Sequence, residues 1–338
     1  MPFHREDRTL NSNGFPPPSK SISPEAQAYF RSNFSRRSRD EMWHPDPDDH
    51  EGWREYNRRA LREREAVNAE LRARYAADLE EHRINGIPVL DIRPKGWRED
   101  GKVVVYTHGG GYVGGIASDA LDSTLPLATE GSYRIISVSY QLAPHARFPE
   151  VTDESCAVVE GLLDSGFELG DIAILGDSAG GGLAAATALK LRDRGRGLIG
   201  ALVLWSPWVD LTGSGDTYRT LADAEPFYRY DSLLAAARDC YVGDSDPRDP
   251  YASPLFADFT AGYPPTLIQV GTRELLLSDA VRIARALADA GQDVELDVYE
   301  GMWHVFQFKP IDMPEAVQAR RKAIGFLDEK LRKALSKT

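Results

Sequence analysis

From Asn85 onward, short apolar runs alternate with stretches of helical periodicity. The runs at 87–92, 103–107, 134–140, 172–175, 201–206, 266–270 and 294–299 predict strands. The stretches at 151–163, 179–194, 279–290 and 315–335 predict helices between or after them. This alternation implies a mostly parallel central sheet with helices on both faces. The interval 211–250 breaks the rhythm, with helix-like pieces at 231–241 among many Asp, Pro and Tyr residues. A connection that long above such a sheet builds a lid or binding surface. Before Asn85 the texture differs. Pro16-Pro17-Pro18 reads as a mobile start, and Trp53, Tyr56, Ala60, Leu61, Val67, Leu71, Tyr75 and Leu79 recur three and four residues apart. Those eight predict one amphipathic helix running to His82, its other side covered by Arg and Glu. The chain thus divides into a mostly helical segment 1–84 and an α/β domain 85–338 with an insertion at about 211–250.

Composition narrows the picture. With 338 residues, 42% of them hydrophobic, the chain can bury a full core. A formal net charge of −12 argues against a nucleic-acid partner, because a phosphate backbone would be repelled. No run approaches the roughly 18 apolar residues of a membrane span, and Met1–Arg8 has no apolar core of a signal peptide. Cys156 and Cys240 make no disulfide framework and read as small buried apolar residues. The expectation is a reduced, cytoplasmic protein.

The chemistry starts at Gly176-Asp177-Ser178-Ala179-Gly180, between a predicted strand and a predicted helix. A serine at such a corner sits in a tight turn with its hydroxyl raised above the sheet. A Cβ two residues to either side would collide with neighbouring backbone, so Gly176 and Gly180 flank it. The helix start directs free N–H groups toward the place where negative charge would develop. A second piece, His108-Gly109-Gly110-Gly111-Tyr112, follows the strand 103–107. Its uncovered N–H groups, with that of Ala179, suit the oxygen of a tetrahedral intermediate, where losing one donor costs about 3 kcal/mol. Gly109, Gly111 and Gly114 also match the spacing of a dinucleotide-binding loop. That reading needs a carboxylate at the end of the next strand, which instead ends Ser137-Val138-Ser139-Tyr140.

Of seven histidines, His4, His44, His50 and His82 precede Asn85 and default to surface roles. His108 reads as a side chain fixing the glycine loop, and His145 lies in a turn with no evident partner. His304 remains, in a loop at the C-terminal edge of the sheet, where active groups of open α/β sheets gather. The acid to orient it is expected at Glu274, just beyond the strand 266–270, while Asp279 is expected to cap the following helix.

With these pieces in place the chain resembles the hormone-sensitive-lipase-like family of α/β-hydrolase-fold esterases. The resemblance rests on His108–Tyr112, Tyr140-Gln141-Leu142-Ala143-Pro144 with Phe148-Pro149, Gly176–Gly181, Ser206-Pro207-Trp208-Val209-Asp210 and Ser253-Pro254-Leu255. It implies an α/β-hydrolase fold with Ser178 as nucleophile, Glu274 as acid and His304 as base. It further implies an oxyanion hole of Gly110, Gly111 and Ala179 with Gly109 adjoining. A cap built from the segment before Asn85 and the insertion 211–250 is implied as well. The chain departs from the family in using Glu rather than the more usual Asp as acid, and in carrying His145 where the family has Glu.

The expected function is a serine carboxylesterase acting on small short- to medium-chain esters through an acyl-enzyme. A lactonase using the same triad is the alternative, and a ligand binder on a hydrolase scaffold is a third reading, disfavoured because all three triad members are present. Tyr112, Asp177, Phe227 and Trp303 are expected to touch substrate, and Phe30, Phe34, Trp43, Tyr228 and Tyr230 are further aromatics available to line an apolar pocket. Neither a metal nor a cofactor is expected. The expected partner is a small ester or lactone, with a homodimer left open.

Overall fold

A computed structural model describes Leu10 and residues 12–335; Met1–Arg8, including His4, lies outside the described residues. Eight strands form one sheet: β1 (Ala77–Ile84), β2 (Ile87–Pro94), β3 (Val103–Thr107), β4 (Ile135–Val138), β5 (Ile172–Asp177), β6 (Ala201–Trp205), β7 (Thr266–Gly271) and β8 (Val294–Tyr299). Their order is β1-β2-β4-β3-β5-β6-β7-β8. The pairs β1–β2 and β2–β4 are antiparallel and all the others parallel.

The central strands are apolar throughout because helices cover both faces. Alternate residues serve opposite layers. Val103 and Val105 of β3, Ile172 and Ile174 of β5, and Leu202 and Leu204 of β6 join one core. Val104, Tyr106, Ala173, Leu175, Ala201 and Val203 join the other. The helices are α1 (Pro24–Asn33), α2 (Arg36–Asp40), α3 (His50–Arg74), α4 (Leu121–Gly131), α5 (Phe148–Asp164), α6 (Ala179–Asp193), α7 (Thr217–Thr220), α8 (Ala235–Val242), α9 (Leu277–Asp289) and α10 (Pro314–Leu335). Helices α5, α6 and α9 pack on the first core, and α4 and α10 on the second. No described helix is long and apolar enough to cross a membrane. Cys156 and Cys240 are free and buried, and burial pushes both thiols up to about 12.

Two expectations are corrected, and one helix is added to those expected. The helix read to His82 stops at Arg74, and residues 77–84 instead form edge strand β1, so the sheet begins before Asn85. Tyr75 and Leu79 fit the helical stripe only by coincidence of spacing. The overlooked signal is Asn85-Gly86, both at positive φ, which closes a tight hairpin onto β2. Helix α4 went unread because it is buried on all sides and carries Pro126, so no amphipathic stripe announces it. The Pro16-Pro17-Pro18 stretch is docked rather than mobile. The carbonyls of Pro16 and Pro17 accept from the Arg273 guanidinium at 2.7 and 2.8 Å, and Phe15 is buried.

Candidate active site

Strand β5 delivers Ser178 to the C-terminal edge of the sheet, and α6 begins at the next residue. Ser178 holds φ 55° and ψ −123°, an uncommon conformation for a residue with a side chain. Its neighbours enforce it. A Cβ on Gly176 would lie 2.2 Å from the Gly180 carbonyl oxygen, and one on Gly180 would lie 2.0 Å from that of Thr107. Strand, turn and helix are therefore in direct backbone contact, which raises the Ser178 side chain out of the corner.

His304 follows β8 and reaches back across the edge of the sheet. Its Nε2 lies 2.9 Å from Ser178 Oγ, and its Nδ1 lies 2.9 Å from Glu274 Oε2. A carboxylate accepts, so Nδ1 carries the proton and Nε2 is left to accept from the serine hydroxyl. Glu274 sits in the turn after β7, fully buried; its Oε1 accepts from Ser206 Oγ at 2.9 Å and from the Gly271 N–H at 2.6 Å. Ser206, at φ 45° directly after β6, also accepts from the Val305 N–H at 3.1 Å. It thus ties the acid's turn to the histidine's loop. Sequence reasoning assigned Ser206 no role; its position at a strand end beside Glu274 is visible only in three dimensions.

Asp279 does not cap α9 as expected. The cap position is Leu276, with no side-chain bond, and Asp279 lies inside the first turn. Its Oδ2 accepts from the N–H groups of Val209 and Asp210 at 3.1 and 2.9 Å, and burial holds its carboxyl well above the usual range. It braces the start of the insertion and does not touch His304.

The glycine loop approaches Ser178 from β3. Among the described residues no hydrogen bond occupies the N–H of Gly110, Gly111 or Ala179. Gly109 differs from the expectation: its N–H already donates to Asp177 Oδ1 at 3.0 Å. The same carboxylate oxygen takes the Tyr106 hydroxyl, while burial raises the Asp177 pKa. Asp177 therefore anchors the loop. His108 stacks on Tyr140 with ring centroids 4.2 Å apart, and its Nδ1–H donates to the Gly109 carbonyl at 2.7 Å. Burial lowers its pKa to about 4, so it stays neutral and holds the loop in place.

A cavity of about 320 Å³ opens over Ser178 and His304. Phe227 and Tyr228 from the insertion wall it, their rings set edge-on to His304 at 6.3 and 5.5 Å. Met42 and Tyr56, from α3 and the chain before it, contribute further wall. Two expected substrate contacts lie elsewhere. Tyr112 is buried against Tyr241, centroids 3.6 Å apart, and Trp303 is buried beneath Tyr29, Phe30 and Phe34. Both are large aromatics next to catalytic-loop motifs whose rings turn into the core. Phe30, Phe34 and Tyr230 also stay out of the cavity wall, and Trp43 points largely to solvent.

Two groups that the sequence did not single out stand beside the site. Glu225, buried in the insertion, accepts from the Phe227 N–H at 2.7 Å and the Leu275 N–H at 3.1 Å. It links the cavity wall to the residue after Glu274, and burial pushes its carboxyl up to about 7. Lys309, five residues past His304, lines the cavity.

Residues 104–308 match a family described as alpha/beta hydrolase fold. An acetyl-hydrolase of Streptomyces hygroscopicus is 35% identical over 70% of this chain and 78% of its own length. An esterase of Acinetobacter venetianus is 35% identical over 64% of this chain and 72% of its own. Among solved structures, an esterase from the bacterial hormone-sensitive lipase family is 32% identical, with a TM-score of 0.78, covering 91% of this chain and 99% of that one. A hormone-sensitive lipase from a metagenome library is 33% identical, with a TM-score of 0.74, covering 80% and 91%. The chain belongs to the hormone-sensitive-lipase-like esterases of the α/β-hydrolase family. Its activity is that of a carboxylic ester hydrolase.

Proposed function

We propose that the chain is a serine carboxylesterase for small, short- to medium-chain esters, working through an acyl-enzyme. The observation that carries this is the His304 ring, held at 2.9 Å from Ser178 Oγ on one side and 2.9 Å from Glu274 on the other. Ser178 Oγ attacks the ester carbonyl as His304 Nε2 takes its proton. Glu274 holds the ring's tautomer and stabilises the imidazolium, itself fixed by Ser206 and the Gly271 N–H. The carbonyl oxygen, now negative, is received by the N–H groups of Gly110, Gly111 and Ala179. His304 then protonates the departing alcohol, and a water activated by the same nitrogen releases the acid. A cavity of about 320 Å³ lies at the small end of ligand pockets and favours a short acyl chain, in keeping with the acetyl-hydrolase relative. The residues before β1 and the insertion between β6 and β7, which carry Met42, Tyr56, Phe227 and Tyr228, serve as the cap.

A fluorophosphonate probe and a set of nitrophenyl esters test this. Wild-type protein should label at Ser178 and turn over, and Ser178→Ala should do neither. Glu274→Ala should lose roughly 10³–10⁴-fold in kcat. Asp279→Ala should cost about 1–3 kcal/mol of stability through two orphaned N–H groups, with a far smaller loss of turnover. Labelling that persists in Ser178→Ala, or equal turnover losses for the two acid variants, would overturn the assignment.

A further inference from the structure

At the polar end of the cavity most charged side chains have a hydrogen-bond partner. Arg64 of α3 spans Asp119 and Asp122 at 2.9 and 2.7 Å. Asp177 is taken by Tyr106 and the Gly109 N–H. The Lys309 ammonium makes no hydrogen bond or ion pair among the described residues, although the backbone of Lys309 bonds to Phe306 and Trp303. Its ammonium lies over the rings of Phe227 and Phe308 at 5.5 and 5.3 Å. Burial makes its charge costly. Such a donor in a partly dry site pairs with whatever acceptor enters, and a chain of hydrocarbon alone leaves it unpaired.

The surroundings decide which kind of acceptor fits. Asp119, Asp122 and Asp177 line the same cavity as Lys309, against one further cation, Arg64. An incoming carboxylate would add to three carboxylates that Arg64 offsets only in part. A carbonyl or hydroxyl oxygen takes the same N–H without that repulsion.

We propose that Lys309 selects esters whose acyl or alcohol part carries a neutral oxygen acceptor over esters of plain hydrocarbon chains. This rests on the esterase reading of the Ser178 site and names the class of ester it takes. Lys309 acts here as a specificity residue, apart from the proton-transfer steps.

The test compares matched esters by proton release at constant pH. Methyl 5-oxohexanoate against methyl hexanoate probes the acyl side, and 4-oxopentyl acetate against pentyl acetate the alcohol side. In the wild type, at least one keto ester should exceed its hydrocarbon partner by about tenfold in kcat/KM. Lys309→Met should bring that ratio close to one, and Lys309→Arg, which keeps donors, should retain part of it. Lys309→Leu, which also lacks a donor, is read by the same criterion should the Met variant fail to fold. The proposal is overturned if neither wild-type pair shows a preference, if the ratio survives in Lys309→Met, or if monomethyl glutarate is the fastest of the acyl set. Failure of the underlying reading looks different: Ser178→Ala would still hydrolyse every ester at the wild-type rate.

Discussion

At the scale of single residues, the site depends on buried carboxyl groups, and each is used differently. Glu274 spends one oxygen on His304 and the other on Ser206 and Gly271. Asp177 holds the glycine loop, and Asp279 holds the start of the insertion. Among the described residues the Glu225 carboxylate has two backbone N–H groups as hydrogen-bond partners, and burial lifts it from an ordinary value near 4.5 to about 7. A folded-state pKa above the unfolded one means that the native protein binds that proton more tightly. The stabilisation is therefore complete below about pH 4.5 and is lost as pH rises through about 7. Glu225→Gln removes this titration, although its amide must turn one N–H toward a backbone donor and so costs stability at every pH. The variant should be less stable than wild type at pH 5, with the gap narrowing by on the order of 2 kcal/mol by pH 8. Urea unfolding at both pH values measures it. A gap that stays constant would mean that Glu225 does not change protonation in that range.

At the scale of elements, the β5–Ser178–α6 corner works because three backbones touch. Gly180→Ala would force a Cβ to within 2.0 Å of the Thr107 carbonyl oxygen and 2.4 Å of that of His108, so the helix start must move. We expect a loss of about 3 kcal/mol or more in stability, with turnover lost along with the corner geometry. Gly325 of α10 is the internal control, because an added Cβ there meets nothing within 4 Å. Gly325→Ala should raise stability by roughly 0.5–1 kcal/mol and leave turnover alone. Thermal melts of the two variants separate steric enforcement from ordinary helix propensity. The same corner explains what could be read in advance. Gly176, Ser178 and Gly180 act through contacts a few residues apart, and the strands around them are apolar because both faces are covered, so pattern and motif agreed. Helix α4 and strand β1 escaped because one shows no stripe and the other borrowed the spacing of the helix before it. Trp303 and Tyr112 were placed at the substrate on adjacency to motifs, yet a side chain's direction depends on partners far along the chain. Lys309 and Glu225 owe their positions to that same long-range folding with nothing local to mark them, and Ser206, though it opens a recognisable motif, shows its contact with Glu274 only in the folded chain.

At the scale of the whole molecule, the N-terminal segment reaches the two loops that carry the acid and the base. Phe15, Phe30 and Phe34 form one buried cluster with Met302, Trp303 and Phe306, which flank His304. Arg273, adjacent to Glu274, donates to the carbonyls of Pro16 and Pro17. Arg39 of α2 donates to the carbonyls of Ala222 and Glu225, which ties the insertion to the same segment. Segment, insertion and both catalytic loops therefore share one packed unit, although they lie far apart in sequence. Activity should then depend on the segment even where it never touches substrate. Removing residues 1–40 strips the cover from Trp303 and the partners from Arg273, freeing both loops to shift by an ångström or so. A displacement of that size is worth about 100-fold in rate, so kcat/KM should fall at least that far with the sheet still folded. Trp303→Ala, which leaves the segment in place but empties the centre of its contact, should cost about 3–5 kcal/mol of stability and part of the same activity. Far-ultraviolet circular dichroism alongside ester turnover distinguishes the outcomes. A truncated protein with native spectrum and full turnover would show that the loops hold their own geometry, and that the segment only walls the cavity.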